Sequence, residues 1–251
     1  YAGLGFDRTA APNTVEVSKG TFDGSGNLSW GDPTWINPTT SPAVLNDKEW
    51  IAVDSRDGSP FQDRIYVSWT RFLFNAATGA YTQSPIAFVY STDGGATFSA
   101  PQLISGNVLY GQGSHVVVGP DGTVYVFWDG STRLASLDSE YMVKSTDGGV
   151  TWSKPKAVST VADILPLRDT AFRVNSYPTA TVDPTTGDVY AVWDGEVPND
   201  ASTYRGTTDC AYWLTANIQD SCHSAVVYSK STDGGASWSA PVAAFDQGNR
   251  A

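Results

Sequence analysis

Sulfur and imidazole are scarce in this sequence. Its 251 residues include two Cys, two His and one Met, which excludes a zinc centre of ordinary ligand number and spacing. Basic residues are few: 15 Lys and Arg stand against 26 Asp and Glu, a formal charge of −11. That balance argues against nucleic acid or an anionic membrane as partner, because phosphate surfaces demand a basic footprint. No apolar run approaches the ~18 residues of a membrane span. There is no phosphate-cradling Gly-rich loop, no Gly-x-Ser-x-Gly elbow and no dinucleotide fingerprint. Charged residues make up only 16% of the chain, below the ~25% of ordinary soluble domains.

Aromatic side chains must therefore carry much of the burial, and the chain has 9 Trp, 12 Tyr and 10 Phe. With 24 Gly and 14 Pro punctuating short alternating runs, the composition reads as all-β. Little Lys, much Tyr, Trp, Thr and Gly, and an acidic surface suit an extracellular protein. The chain begins at Tyr1 and not at Met, so a leader is expected to have been removed. Cys210 and Cys222 fall in one long loop and are expected to form a disulfide, two unrelated thiols being the alternative.

The sequence writes one phrase three times: "STDGGATFSAPQLIS" from Ser91, "STDGGVTWSKPKAVS" from Ser145 and "STDGGASWSAPVAAF" from Ser231. Upstream of each lies an alternating strand that reaches a Trp: "DRIYVSWTRF" (63–72), "GTVYVFWDGS" (122–131) and "GDVYAVWDGE" (187–196). Another strand precedes each of these, and a third follows after a loop of variable length. Four short antiparallel strands, repeated, predict the blades of a β-propeller. The copies are 54 and 86 residues apart, and the growth sits mainly in the loop between second and third strands, where insertion costs little. The expected division is an incomplete blade over 1–46, blades over 47–110, 111–172 and 173–246, and a tail or the start of a further blade over 247–251. In the incomplete blade, "FDGSGNLSW" (22–30) reads as a degenerate copy of the repeated turn.

The repeated turn is a mechanical device. Asp93, Asp147 and Asp233 accept backbone N–H bonds at a tight turn, and the glycine pairs, including Gly95, Gly149 and Gly235, supply positive φ. Phe98, Trp152 and Trp238 fold back as apolar plugs. Three copies in equivalent turns make these carboxylates structural rather than catalytic.

These turns resemble the Asp-box (bacterial neuraminidase repeat) family, and the resemblance spans nearly the whole chain. "DKEWIAVD" (47–54) and "DRIYVSWTRF" also look like secreted bacterial proteins of sialidase-like type. The resemblance implies a sialidase-superfamily propeller, usually six-bladed and extracellular. Sialidases of this kind bind the substrate carboxylate with three arginines and use an acidic proton donor and a Tyr–Glu nucleophile. Their Arg-Ile-Pro motif is absent here; "FRVNSYP" (172–178) places three more residues between Arg and Pro. The catalytic set therefore does not carry over residue by residue.

In an antiparallel meander the boxes and the one–two turns share one face, and the longer connections share the other. A site is expected on the long-loop face. The sequence delivers there the carboxylates Asp129, Asp194 and Glu196, candidates for acid and base roles in glycoside cleavage. Arg71, Arg133 and Arg173 could bind a carboxylate in bidentate fashion. His115, Tyr177 and Trp213 offer rings for a sugar face, and Lys48, Glu49 and Trp50 also arrive at this rim. Each has a bland alternative as a turn former, an interblade pair or packing. No cofactor is expected; calcium at acidic loops such as "DSRDG" (54–58) is conceivable.

Two functions are compatible with this pattern. One is a non-catalytic glycan- or protein-recognition or structural propeller in an extracellular assembly, its open edges meeting further blades of the same chain or a neighbouring one. The other is a sialidase-like exo-glycosidase. The first leads, because no complete catalytic set is visible.

Overall fold

A computed structural model describes residues 1–7, 12–134, 138–162, 175–198 and 222–245. Among the described residues every regular element is a strand, so no helix is long and apolar enough to cross a membrane.

The first sheet orders β1 (Ala2–Phe6), β2 (Asn13–Val17) and β5 (Thr34–Thr39). A separate hairpin of β3 (Gly20–Phe22) and β4 (Leu28–Trp30) projects between the last two. The second sheet runs β6 (Val44–Val53), β7 (Ile65–Phe74), β9 (Ile86–Ser91) and β10 (Gln102–Leu103), with β8 (Tyr81–Gln83) attached to β7. The third holds β11 (Tyr110–Val118), β12 (Val124–Ser131), β13 (Ser139–Ser145) and β14 (Lys156–Thr160). The fourth holds β15 (Thr179–Val182), β16 (Val189–Pro198), β17 (Cys222–Ser231) and β18 (Val242–Phe245). The strand pairings within these sheets are antiparallel, and in the third and fourth sheets all join chain neighbours, as in propeller blades.

The core lies between sheets, and period-2 alternation makes it. Trp69, Trp128 and Trp193 lie within the second strands, which continue past them, and each turns back towards the preceding sheet: Trp69 with Val15 and Ile36, Trp128 with Tyr66 and Phe88, Trp193 with Phe127 and Met142. All three are essentially buried. Residues one step along the strand face forward, towards the following sheet.

The sheets also curve around an axis. The second and fourth sheets touch although the third stands between them, since the Arg56 guanidinium donates 3.1 Å to the Pro184 carbonyl. Radial packing of blades produces that contact; a flat stack does not.

The three boxes superpose in chemistry. The Asp147 carboxylate accepts from Ser145 Oγ at 2.7 Å, from the Thr151 amide at 2.9 Å and from Thr151 Oγ1 at 2.6 Å. Asp93 and Asp233 accept the corresponding bonds. Gly148 and Gly149 sit at φ 70° and 91°, and a Cβ on Gly149 would stand 2.8 Å from the Phe88 ring. Both conformation and space demand glycine there. Trp152 then meets Phe88 edge-on at 4.6 Å, and Trp238 meets Phe127 at 5.8 Å.

Each box is also held from behind. Thr34 Oγ1 donates to the Gly95 carbonyl, Arg64 Nη1 to Gly148, and Lys144 Nζ to Gly234. The β3–β4 hairpin keeps a reduced version of the turn, in which Asp23 accepts the Asn27 amide at 2.8 Å and the Asn27 side-chain amide at 2.9 Å. Asn27 there replaces the Thr or Ser of the full box.

Candidate functional site at the channel mouth

On the face opposite the boxes, the innermost strands begin with a shared irregularity. In β6 the pairing jumps between Asp47, opposite Thr70, and Trp50, opposite Ser68. In β11 it jumps between Gln112, opposite Asp129, and His115, opposite Phe127. In each sheet two residues face one tryptophan, a bulge of the kind that re-aims side chains near sites. Lys48 and Gly113 are thus equivalent bulge residues, at φ 55° and 64°. At the fourth sheet Ser176, just before β15, donates from its Oγ to the Asp194 carboxylate at 3.5 Å, and Tyr177 follows it.

Lys48, Gly113 and Tyr177 converge. The Tyr177 ring lies over Gly113, so closely that a Cβ there would stand 2.4 Å from Tyr177 Cγ. Crossing the third sheet in this way, the ring comes within 5.8 Å of Lys48 Nζ, and the Tyr177 hydroxyl donates 2.9 Å to Gln112 Oε1. Lys48 also lies 5.2 Å from the centre of Phe72 and pairs with Asp47 at 2.7 Å. The next ring position repeats the theme: Trp50 stacks on His115 at 4.1 Å and 26°, and His115 Nδ1 meets Thr179 Oγ1 at 3.3 Å. Trp50 remains 43% exposed, so its outer surface is open to a ligand.

Electrostatically the mouth is muted. Burial drives His115 down to about 4, so it is a neutral ring at physiological pH. Burial also raises the Glu49 carboxyl, helped by the nearby Asp47 charge. Asp194 is raised by burial, against its hydrogen bonds.

The candidate residues do not form one cluster. Asp129 follows Trp128 and so faces forward, on the side where Phe127 and Met142 pack against the fourth sheet. Its register partner is Glu140, and both are buried. Asp194 pairs with exposed Val226 on the forward side of the fourth sheet, and Glu196, two residues on, shares that side. The fourth sheet therefore separates Asp129 from the other two. Glu196 is buried and accepts from Ser224 Oγ at 3.1 Å. Arg71 lies two residues beyond Trp69, which turns it towards the first sheet and away from the mouth. Arg133 is exposed just past β12, its carbonyl held by Ser131 Oγ. Arg173, Trp213 and the Cys210–Cys222 pairing lie outside the described residues. Among the described residues no three His, Cys, Asp or Glu side chains gather into a metal-binding group.

Sequence reasoning missed Glu140 and the Gln112–Gly113 support. Glu140 follows a loop whose length hides its register, and the "GQGSH" run (111–115) shows a bulge only once its partner strand is known.

The sequence profile of the BNR/Asp-box repeat matches residues 143–154, the second box. The chain carries Asp-box repeats on a β-propeller fold. A protein of unknown function from Dyadobacter fermentans superposes with a TM-score of 0.52 at 17% identity, covering 94% of this chain and 66% of that one. The GH93 α-L-arabinofuranosidase of Fusarium graminearum, solved with arabinobiose, superposes with a TM-score of 0.51 at 12% identity, covering 90% of this chain and 56% of that enzyme. Similarity at these identities concerns the fold alone, and the Asp-box propeller spans under two thirds of either structure. No curated protein matches it significantly.

Proposed function

We propose that this propeller is a secreted, non-catalytic recognition module that binds a glycan at its channel mouth. The observation that carries the reading is the half-exposed Trp50, braced from behind by a neutral His115 and flanked by the Lys48–Tyr177–Phe72 cluster. An indole fixed by a second ring presents a rigid apolar face at low entropic cost, which suits the apolar face of a sugar. The distribution of carboxylates also supports binding over cleavage. Glycoside hydrolysis needs two of them roughly 5–10 Å apart around one open site, and here the acids beside Trp50 are Asp47, paired with Lys48, and Glu49, its carboxyl raised by burial. The Cys210–Cys222 disulfide belongs to this secreted reading, with Trp213 in the stapled loop as a further contact. The module forms part of a larger, six-bladed ring, and the reading requires no metal.

A second reading, a sialidase-like exo-glycosidase, draws on Asp194 and Glu196. They sit two residues apart on one side of β16, a spacing of about 7 Å, and Asp194 is biased towards its protonated form.

The test is a glycan panel immobilised and probed with the wild-type chain and with Trp50→Ala. Saturable binding that Trp50→Ala removes supports the reading. Binding that survives the substitution, or no binding to any glycan or polysaccharide tested, overturns it.

A further inference from the structure

The apolar surface at the mouth does not end at Trp50. On β7 the even-numbered residues face the third sheet: Ser68 Oγ meets Ser114 Oγ at 2.8 Å, and the Gly113 amide donates 3.3 Å to Thr70 Oγ1. Period-2 alternation carries that column on to Phe72 and Phe74, nearer the long-loop face. Phe72 pairs in register with Leu45 and Phe74 with Tyr81, so the four side chains share one side of the second sheet. The Tyr81 ring lies 6.2 Å from both Phe72 and Phe74, and 5.9 Å from Tyr110 of the third sheet. None of these rings is fully covered, and Leu45 is 43% exposed.

This second apolar shelf is fixed in place and set apart from the first. The segment that carries Tyr81 is fastened to the third sheet: the Ser84 amide donates 2.8 Å to the Leu109 carbonyl, and the Gly111 amide donates 2.9 Å to the Ser84 carbonyl. The Tyr81 hydroxyl and Ser84 Oγ share a hydrogen bond of 2.7 Å. Ser68, opposite Trp50, and Phe72, opposite Leu45, are four residues apart on β7, which is about 13 Å of strand. One sugar ring does not span that distance. Between the shelves stands a polar pair, Lys48 Nζ at 2.7 Å from the Asp47 carboxylate, with the ammonium 5.2 Å from the centre of Phe72. The second and third sheets, which flank this seam, both belong to the chain, so the shelf is complete as it stands.

We infer that the ligand is an extended chain of sugar units and not a single terminal sugar, an inference that rests on the glycan reading of the mouth. One unit lies on Trp50, hydroxyls of the next meet Lys48 and Asp47, and a further unit lies on Leu45, Phe72 and Tyr81. The apolar, polar, apolar order along the seam matches a chain whose ring faces are apolar and whose edges carry hydroxyls. Linking the contacts raises affinity, because the first unit holds the later one at high effective concentration over a shelf that is already ordered.

The experiment titrates the full chain with cello-, xylo- and malto-oligosaccharides, from disaccharide to hexasaccharide, by isothermal calorimetry. The wild type is expected to bind the hexasaccharide of at least one series about tenfold or more tighter than its disaccharide. Leu45→Ser is expected to narrow that ratio towards one, whereas Trp50→Ala lowers affinity at every length. Thermal melts check that both variants fold, and the wild-type length series needs no variant at all. A disaccharide that binds as tightly as the hexasaccharide, or a length dependence that survives Leu45→Ser, overturns the inference, assigns the shelf to packing of its own segment and leaves the Trp50 site standing. No binding in any series also overturns it, and the immobilised panel then decides the glycan reading separately.

Discussion

The Lys48 ammonium in the second blade lies 5.8 Å from the centre of the Tyr177 ring in the fourth, although a whole blade stands between them. Gly113 makes this possible, since it occupies the equivalent position in the intervening blade and offers no side chain. Two copies of one bulge have diverged into a cation and a gap, and the Tyr177 ring lies over the gap. The gap lets the other two meet.

Gly113→Ala tests that relationship. A methyl group would need the space of the Tyr177 ring, and the positive φ strains any L-residue there. The substitution is expected to destabilise the fold by about 1–3 kcal/mol and to weaken ligand binding further than Tyr177→Phe, which keeps the ring and loses only the bond to Gln112. Chemical denaturation and a binding titration on both variants measure this.

Trp50→Ala is expected to leave the melting temperature within a few degrees of wild type, because the indole is already 43% exposed and surface changes usually cost within about 0.5 kcal/mol. Ligand affinity is expected to fall by about tenfold or more, the scale of a lost aromatic anchor. Parallel thermal melts and binding isotherms separate the two effects.

The boxes predict an acid limb in the stability profile. Asp93 and Asp147 are held down to about 2, Asp93 chiefly by its bonds from Thr97, and Asp147 by Thr151 and Ser145 against a burial cost. Asp233 is held lower still by Ser237. Folded carboxyls below the unfolded value of about 3.9 contribute stability that is complete above that pH and disappears as pH falls towards 2. Asp147→Asn, which removes one ionised acceptor, is expected to flatten that limb and to cost about 1–2 kcal/mol at neutral pH. Urea unfolding between pH 2 and 7 reads both.

His115 contributes a second window. Its folded value of about 4 lies below the unfolded 6.5, so between those values the unfolded chain binds the extra proton and stability declines as pH drops. His115→Gln is expected to remove that part of the slope, and the same urea series shows it.

Much of the fold was readable because its signals are local. A "STDGG" turn carries its own hydrogen bonds within a few residues, and each Trp sits in a strand whose alternation fixes which side is core, although the strands continue past it. Even the worn turn at Asp23–Asn27 kept its spacing. The site was less readable because it depends on parity and register. Asp129 and Asp194 follow equivalent tryptophans and seemed to belong to one rim, yet a residue after Trp193 faces away from the third blade while Asp129 faces towards the fourth. Arg71 sits two residues beyond Trp69, and alternation alone turns it towards the first sheet. Lys48 and Gly113 are brought into equivalence by bulges, each adding one residue against its partner strand. Single-strand patterns do not reveal such an insertion.

The central claim is that the channel mouth binds a glycan and does not cut it. The most direct measurement incubates the wild-type chain with a panel of neutral and acidic oligosaccharides. It records bound ligand and any newly formed reducing ends in the same samples. The account predicts saturable binding to at least one glycan, dependent on Trp50, with every oligosaccharide recovered intact. Hydrolysis that disappears in Asp194→Asn would contradict it and place this propeller among the glycosidases.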